Sequence, residues 1–430
     1  MRIATIIFLF TLCFTANAQK ALTVEEAVNI ALKNNFDILV ARNDATLSKV
    51  NNTAGNAGML PTIELTGTGS YEINNVHQKL SNGTETNYSS LSTISLSAGT
   101  QLSWNLYDGG KMFVTKNKLN EIESLGEIQF KDRVLTTLYS VIAAYYDVVR
   151  QKQQLNSINE ALNYNRERVT IAQAGYNAGS LLKSDLLMAK IDLNVTLENI
   201  VNQEFIIEST NKKLNFLLGQ STDTVFEIFD SIPLTYSPDK NELLQKLNAS
   251  NSNILSFQKQ IEINRLALDE NKTNYLPLVN FKAGYYLSQT SNSQGSVLNN
   301  FSVGPQVGGT VVIPLYSAGE NKRKVSSARI QLQSAEYDFQ NIKLQVNTTF
   351  ENTFKEFENQ KRLLEIEKVN NELTKENIQI SLERLRLGQT TSLEVRLAEE
   401  DYVQSCTRLI NFKYNLKISE TRLKQLVSAL

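Results

Sequence analysis

The chain has 430 residues, with 43 Lys and Arg against 44 Asp and Glu and a pI near 6.1. That balance offers no basic footprint for nucleic acid, and a mean hydropathy of -0.25 excludes a bundle of membrane-spanning helices. One His (His77) and two Cys (Cys13, Cys406) exclude His/Cys zinc sites, Cys-His nucleophile pairs and a disulfide framework, so neither a cofactor nor a metal is expected.

Met1-Arg2 precedes an apolar run from Ile3 to Phe14, and Ala16-Asn17-Ala18 follows with the small-x-small spacing of an export cleavage site. Residues 1–18 read as a signal peptide, because twelve apolar residues are too few for a bilayer core of about 30 Å. Cys13 lies inside that run, which leaves Cys406 as the one thiol of the mature chain, a packed helix residue. Thr23 with Glu26 three positions on is a capping box, and it predicts a helix from Thr23 to Lys49.

Pro61 starts a stretch of different character. Ile94, Leu96, Ala98, Leu102, Trp104 and Leu106 alternate with Ser95, Ser97, Gln101, Ser103 and Asn105, the period of a strand with one apolar face. The arm before it carries Ile63, Leu65, Tyr71 and Ile73. Together they predict a β-hairpin over about 61–108, joined by a long Asn- and Ser-rich loop from Asn74 to Ser90 that contains His77.

Beyond Lys111 the period becomes seven. Val134, Val141, Val148, Leu155, Leu162 and Val169 form one seam, seconded by Leu138 and Tyr145, and a 3.5-residue repeat kept over several heptads means helices coiled on neighbours. No Pro falls between Pro61 and Pro233, so a helix from Lys111 to Tyr176, roughly 100 Å long at 1.5 Å per residue, is allowed. Lys152, Arg166, Glu167 and Arg168 read as its polar flank. Gly179 marks a turn, after which Leu186 to Leu218 returns and completes a helical hairpin over about 111–219.

The pattern then recurs. Leu60-Pro61 returns as Leu276-Pro277 and Asn35, Ile38 and Leu39 as Asn251, Ile254 and Leu255; at a slightly smaller offset Leu106-Tyr107, Gly179, Ala189 and Leu214 return as Leu315-Tyr316, Gly388, Ala398 and Leu423. The chain is therefore two tandem repeats, 19–230 and 240–430, joined by a linker over 231–239 that holds Pro233 and Pro238. The second repeat should contain a β-hairpin over about 277–316 with a loop from Ser288 to Asn300. A helical hairpin over about 319–428 should follow, in which Ile366, Leu373, Ile380 and Leu387 repeat the heptad.

Four strands per chain cannot close a barrel, and hydrocarbon does not tolerate an open sheet edge. Aromatics at the strand ends (Tyr71, Trp104, Tyr107, Tyr285, Tyr286, Tyr316) in an exported chain suit an outer-membrane barrel shared between copies. Two copies would give eight strands packed shut by side chains, and three would give twelve, wide enough to begin a pore. The expected fold is a mixed one: a membrane β-barrel, twelve-stranded as a homotrimer with four strands per protomer, plus long coiled-coil helices lying in water. Enzyme motifs such as G-x-x-x-x-G-K and G-x-S-x-G are absent, and Glu399-Glu400 on a heptad helix reads as a solvated pair. A coiled-coil rod of the envelope, structural or adhesive, is the rival reading, but it explains neither the strands nor the duplication.

The order of these features resembles the TolC family of outer-membrane channel proteins over nearly the whole mature chain. It is carried by the opening helix, by Leu60-Pro61 and Leu276-Pro277, by the strand exits Leu106-Tyr107-Asp108-Gly109-Gly110 and Leu315-Tyr316-Ser317-Ala318-Gly319, and by the turns Tyr176-Asn177-Ala178-Gly179 and Leu385-Arg386-Leu387-Gly388. The resemblance implies a homotrimer in the outer membrane of a Gram-negative bacterium, surrounded by its lipid and extending across the periplasm, with the helices closed into a long α-helical coiled-coil barrel. It implies partners too: a periplasmic adaptor (membrane fusion protein), met at the tips around Gly179 and Gly388, and an inner-membrane transporter, serving either efflux or type I protein secretion. In that family, carboxylates six residues after each tip glycine narrow the tunnel, which points to Asp185 and Glu394 as gate residues. A further family acid falls on Leu397, and the tip Tyr and Arg of the family's closed state fall on Leu385 and Thr390. A closed state here would need another lock, with Arg386 or Arg396 as the candidates.

Overall fold

A computed structural model describes residues 22–224, 226–229 and 231–430, so the expected signal peptide lies outside the described residues. In chain order the elements are α1 (Val24–Asn34), α2 (Phe36–Asn51), β1 (Thr62–Lys79), β2 (Glu85–Asp108), α3 (Lys111–Asn177) and α4 (Lys183–Leu218), then α5 (Lys240–Ser250), α6 (Ser252–Lys272), β3 (Leu278–Asn292), β4 (Asn299–Val312), α7 (Glu320–Arg386) and α8 (Ser392–Leu426). Two compact units result, and each draws on both halves of the sequence. One gathers Leu22–Ala41, Lys131–Ser252 and Gln345–Leu430, and the other Arg42–Phe130 and Asn253–Leu344.

The second unit holds one antiparallel sheet in the order β1-β2-β3-β4, so the outer edges of β1 and β4 have no partner strand among the described residues. The register places Ile63, Leu65, Tyr71, Ile73, Ile94, Leu96, Trp104, Tyr285, Leu287, Val303, Val307 and Val311 on one face. That face is open: Leu65 and Val307 expose 80% and 72% of their surface, which in water would be an apolar patch far beyond what monomers carry. The opposite face carries Glu64, Thr66, Thr68, Ser97, Gln101, Ser103 and Lys282. There the Tyr286 ring lies over Gly99 and Gly284, where a Cβ would come 2.4 Å and 2.6 Å from ring carbons, and its hydroxyl donates to Gln101 Oε1 at 2.9 Å.

The expected loops are mostly strand. β1 and β2 continue to Lys79 and from Glu85, so the segment from Asn74 to Ser90 is a two-stranded ribbon turning over Leu80 to Thr84, and His77 is a strand residue beside Asn87 rather than a loop residue. Polar side chains on both faces hid the alternation, and cross-strand partners such as Lys79 and Glu85, 2.6 Å apart, hold the ribbon. β3 likewise runs to Asn292 and β4 begins at Asn299, which shortens the expected loop between Ser288 and Asn300.

In the helical unit, the opening segment is two helices rather than one. Thr23 and Glu26 form the capping box, with hydrogen bonds of 3.2 and 3.1 Å, but Asn35 turns extended (φ -64°, ψ 125°) and ends α1. Its amide donates to Leu217 O at the end of α4 (2.8 Å) while its Oδ1 accepts from Ile38 N. Asn251, its counterpart in the second repeat, is also extended (φ -63°, ψ 120°) and donates to Leu426 O at the end of α8 (2.9 Å). Around α1 the core gathers Ala27, Ala31, Val141, Tyr145, Val148, Leu214 and Leu218, with the Tyr145 hydroxyl donating to Leu22 O at 2.8 Å. Burial raises the Tyr145 phenol above its usual range, with nearby Glu25 adding to the shift.

α3 and α7 are each 67 residues long, roughly 100 Å. The α3 seam is inside as expected, with Val141 and Val148 fully buried and Leu162 nearly so. In α7 the expected seam is outside: Ile366, Leu373, Ile380 and Leu387 expose 66, 60, 51 and 68% of their surface. The residues that match the α3 seam from Val141 to Val169 at the repeat offset are Phe350, Phe357, Leu364, Asn371 and Ile378, and four of these five are buried apolar residues, while Val134 matches the exposed Lys343. Asn371, the polar exception, donates to Ser405 Oγ and Cys406 Sγ on α8 (3.2 Å each), and Cys406 is buried. α7 thus carries two heptad stripes, of which the chain itself uses one.

Candidate functional site

The turns between α3 and α4 and between α7 and α8 are both centred on glycine. Gly179 (φ 75°) and Gly388 (φ 70°) lie in the left-handed region, with nothing within 4 Å of where a Cβ would stand, so a larger side chain there would strain the backbone without striking a neighbour. Each turn closes with a helix C-terminal motif: Ser180 N donates to Gly175 O (2.9 Å) and Gln389 N to Arg384 O (2.8 Å).

The two carboxylates expected at a gate occupy the third position of the helices that leave these turns. Asp185 bonds back to Leu182 N (3.2 Å) and thereby caps α4, since Leu182 has no side-chain oxygen to do so. In α8 the capping oxygen comes from Thr391, whose Oγ1 accepts from Glu394 N at 3.3 Å. The Glu394 carboxylate takes instead a short hydrogen bond from the Thr390 hydroxyl and is exposed. Asp185 is therefore bound up in local structure, and Glu394 is the freer charge.

The residues in place of the family's lock behave differently from one another. Leu385 is buried with Ile378, Leu382, Val395, Ala398 and Tyr402, whereas Leu397 is exposed. Arg386 at the end of α7 pairs with Glu167 of α3 and, at 3.0 Å, with Glu383, joining the two turns across the repeats. Arg396 pairs with Glu400 at 3.3 Å on the α8 surface.

Arg168 and Glu399 are not the solvated groups that the sequence suggests. Arg168 exposes 1% of its surface and Glu399 8%. Arg168 Nη2 donates to Asp192 Oδ2 (2.5 Å) and Asn165 Oδ1 (2.9 Å), while Nη1 stands 3.5 Å from Glu399 Oε2. Asn165 Nδ2 bonds Glu399 Oε1 and, at 3.1 Å, Thr196 Oγ1. Burial pushes the Glu399 carboxyl up to about 7, against the pull of Arg168 and Asn165 and with the help of Asp192 and Glu400. Glu367, another deeply set carboxylate of this unit, goes the opposite way. Burial pushes it up as well, but Arg408, Ser405 and Asn370 bond it and hold it below its usual range.

Heptad arithmetic could have found Asn165 and Arg168, because Asn165 stands three residues beyond the seam position Leu162 and Arg168 three beyond Asn165, on the same side of the helix. Nothing in the sequence alone pairs them with Glu399, 231 residues further along. Among the described residues no helix is long and apolar enough to cross a membrane, and no group of three or more His, Cys, Asp or Glu could hold a metal.

The model of the outer membrane efflux protein family matches residues 27–220 and 243–429. A proteases secretion protein of Dickeya chrysanthemi, PrtF, is 21% identical over 96% of this chain and 90% of its own length. An outer membrane efflux protein of Brucella suis, BepC, is 20% identical over 97% and 88%. Among solved structures, the outer membrane protein VceC of Vibrio cholerae superposes with a TM-score of 0.75, at 14% identity, over 94% of this chain and 96% of its own.

Proposed function

The chain belongs to the outer membrane efflux protein family, whose members are channels of the outer membrane that extend into the periplasm, and from that premise we propose that three copies make one export duct with no chemistry of its own. The observation that carries this reading is the sheet. Its apolar face is open and both of its edges lack a partner, a state that hydrocarbon penalises by several kcal/mol per unpaired backbone group. Pairing β4 of one copy with β1 of the next removes every edge. Three copies make a closed twelve-stranded barrel with Glu64, Gln101 and Lys282 toward the lumen, where an eight-stranded dimer would be filled.

The exposed heptad stripe of α7 (Ile366, Leu373, Ile380, Leu387) and the exposed Leu187, Ile191, Val201 and Phe205 of α4 supply the same joint in the helical unit. A periplasmic adaptor at the turns around Gly179 and Gly388, and an inner-membrane transporter behind it, complete the path. The named relatives include both a protease secretion protein and an efflux protein, and a passive duct serves either cargo.

Mass measurement of the detergent-extracted protein tests the assembly, and unitary conductance in planar bilayers tests the duct. A stable monomer or dimer would overturn the shared barrel, and trimers that insert without conducting would favour a structural role. The ribbon from Asn74 to Ser90 should face the cell exterior, so a peptide tag placed near Gly83 should bind its antibody on intact cells.

A further inference from the structure

The duplication carries one strand register onto another, residue for residue. The pairs Thr62–Ser103 and Ser70–Ser95 of β1 and β2 return as Leu278–Val312 and Tyr286–Gly304 of β3 and β4. The joint between β2 and β3 inside the chain therefore has a counterpart, the joint between β4 of one copy and β1 of the next. Its pairs Gln101–Gly284, Gly99–Tyr286 and Ser97–Ser288 put Thr310 opposite Thr68 of the partner subunit, Gly308 opposite the partner's Ser70 and Gln306 opposite the partner's Glu72. In this register polar side chains share one face, while Val307 meets the partner's Tyr71 on the apolar one.

The two joints differ in what covers them on the polar face. Inside the chain the Tyr286 ring covers Gly99, and its hydroxyl reaches Gln101. At the seam between copies the partner's Ser70 takes the place of Tyr286 and Thr310 that of Gln101, so no ring covers Gly308, where nothing stands within 4 Å of an added Cβ. Lys282 is the cross-strand neighbour of Gly308 on β3. Over Thr62 to Asn74, Thr93 to Asn105, Leu278 to Asn292 and Asn299 to Val312 the charged side chains are Glu64, Glu72 and Lys282 alone, all on the polar face. None of the three forms an ion pair among the described residues; Glu72 accepts a hydrogen bond from Asn74 at 3.4 Å.

We propose that Lys282 lies across Gly308 and pairs with Glu72 of the partner subunit, so that a lumen-side ion pair closes each seam where the aromatic cover is missing. The pairing rests on the shared-barrel reading. Two strand spacings across and two residues along separate the two Cα atoms by roughly 12 Å. An extended lysine and an extended glutamate close that span when only a glycine stands between them. Glu64 lies as far away on the other side of Lys282, but there Ser103 and Gln101 stand between, and Gln101 is held by Tyr286. Neither member of the pair has a charged counterpart in the other repeat: Thr66 stands for Lys282 and Ser288 for Glu72. The pair therefore belongs to the seam and not to the duplicated plan. In a water-filled lumen one such pair is worth little, but separating a trimer into monomers opens all three seams.

Disulfide formation in Thr310→Cys/Thr68→Cys tests the register, since Cys406 is buried and the two positions lie on opposite edges of the sheet within one chain. Oxidation should link most copies into covalent dimers and trimers. Thr310→Cys with Thr66→Cys or with Ser70→Cys is slipped by two residues, beyond the about 7 Å that a disulfide bridges, and should link at least about tenfold less. Preferential linkage of a slipped pair, or no linkage of any pair in trimers of wild-type mass, overturns the seam. Charge exchange tests the ion pair. At about 0.05 M salt Lys282→Glu and Glu72→Lys should each raise the dissociated fraction of trimers warmed in nonionic detergent at least about fivefold. Lys282→Glu/Glu72→Lys should return it to within about twofold of wild type, and about 0.5 M salt should erase the differences. Single variants indistinguishable from wild type, or a double variant no better than single ones that form no trimers at all, overturn the ion pair while leaving the register standing. A wild type that is monomeric by mass overturns the shared barrel, and the seam with it.

Discussion

α3 and α7 are repeat counterparts of equal length, yet they use their heptads differently. α3 turns its heptad seam inward, through Val141, Val148 and Leu162, with Leu138, Tyr145 and Val149 buried beside it. α7 turns Phe350, Phe357, Leu364 and Ile378 inward and also carries Ile366, Leu373, Ile380 and Leu387 on an open face. The positions of α3 that match this open stripe are Ser157, Tyr164, Ile171 and Ala178. Duplication supplied two similar helices, and an open apolar stripe on only one of them is what the proposed ring of identical chains requires, since a head-to-tail joint needs two different surfaces on each copy.

The largest expected effect comes from charging the open stripe. Leu373→Glu should convert detergent-extracted trimers to monomers while far-ultraviolet circular dichroism stays unchanged, because Leu373 keeps 60% of its surface open. Trimers that survive would move the joint elsewhere. Truncation on the inner seam separates the two stripes in the other direction. Phe357→Ala, at a buried position, should cost about 3–5 kcal/mol of protomer stability in urea denaturation of dissociated chains. Ile380→Ala should cost less than about 1 kcal/mol in the same assay, since an exposed side chain has little contact to lose.

These two stripes also show what was legible from the sequence. Periodicity found the helices, the turns at Gly179 and Gly388, the strand faces and the duplication, because each is a local pattern repeated many times. It chose the open stripe of α7 as the counterpart of the α3 seam, since Ile and Leu at intervals of seven look alike on either side of a helix. The repeat offset that pairs Val148 with Phe357 is what tells the two stripes apart. The polar contacts at Arg168 and Glu399 were out of reach, because burial of a charge depends on which helix comes to lie against it. The carboxylates after each glycine were found by resemblance, and their capping geometry by the structure alone.

The turns offer a comparison of intermediate size. Gly388→Leu and Gly179→Leu each place a side chain at positive φ in open space, at a cost of about 1–2 kcal/mol of local strain. Neither should prevent trimer formation or membrane insertion. Gly388→Leu should abolish export measured in cells carrying the cognate adaptor and transporter, and normal export by that variant would take this turn out of the adaptor contact.

The smallest effect separates the two carboxylates. Asp185 caps α4 through Leu182 N, so Asp185→Ala should lower helix stability by about 0.5–2 kcal/mol and change ion selectivity little. Glu394 leaves capping to Thr391, so Glu394→Ala should be almost neutral for stability. If three Glu394 carboxylates ring the axis at the mouth, they attract cations and raise one another's protonation affinity. The closed pore is then cation-selective and blocked by multivalent cations from the periplasmic side, and Glu394→Ala relieves both. If Glu394 sits instead on an outer helix surface, its charge is screened within about 10 Å at 0.1 M salt, and neither property changes. Reversal potentials under a KCl gradient distinguish the two. A shift toward zero in Glu394→Ala that exceeds the shift in Asp185→Ala places the freer carboxylate at the constriction. Equal cation preference in wild type and Glu394→Ala would make Glu394, like Asp185, a residue of the helix end alone.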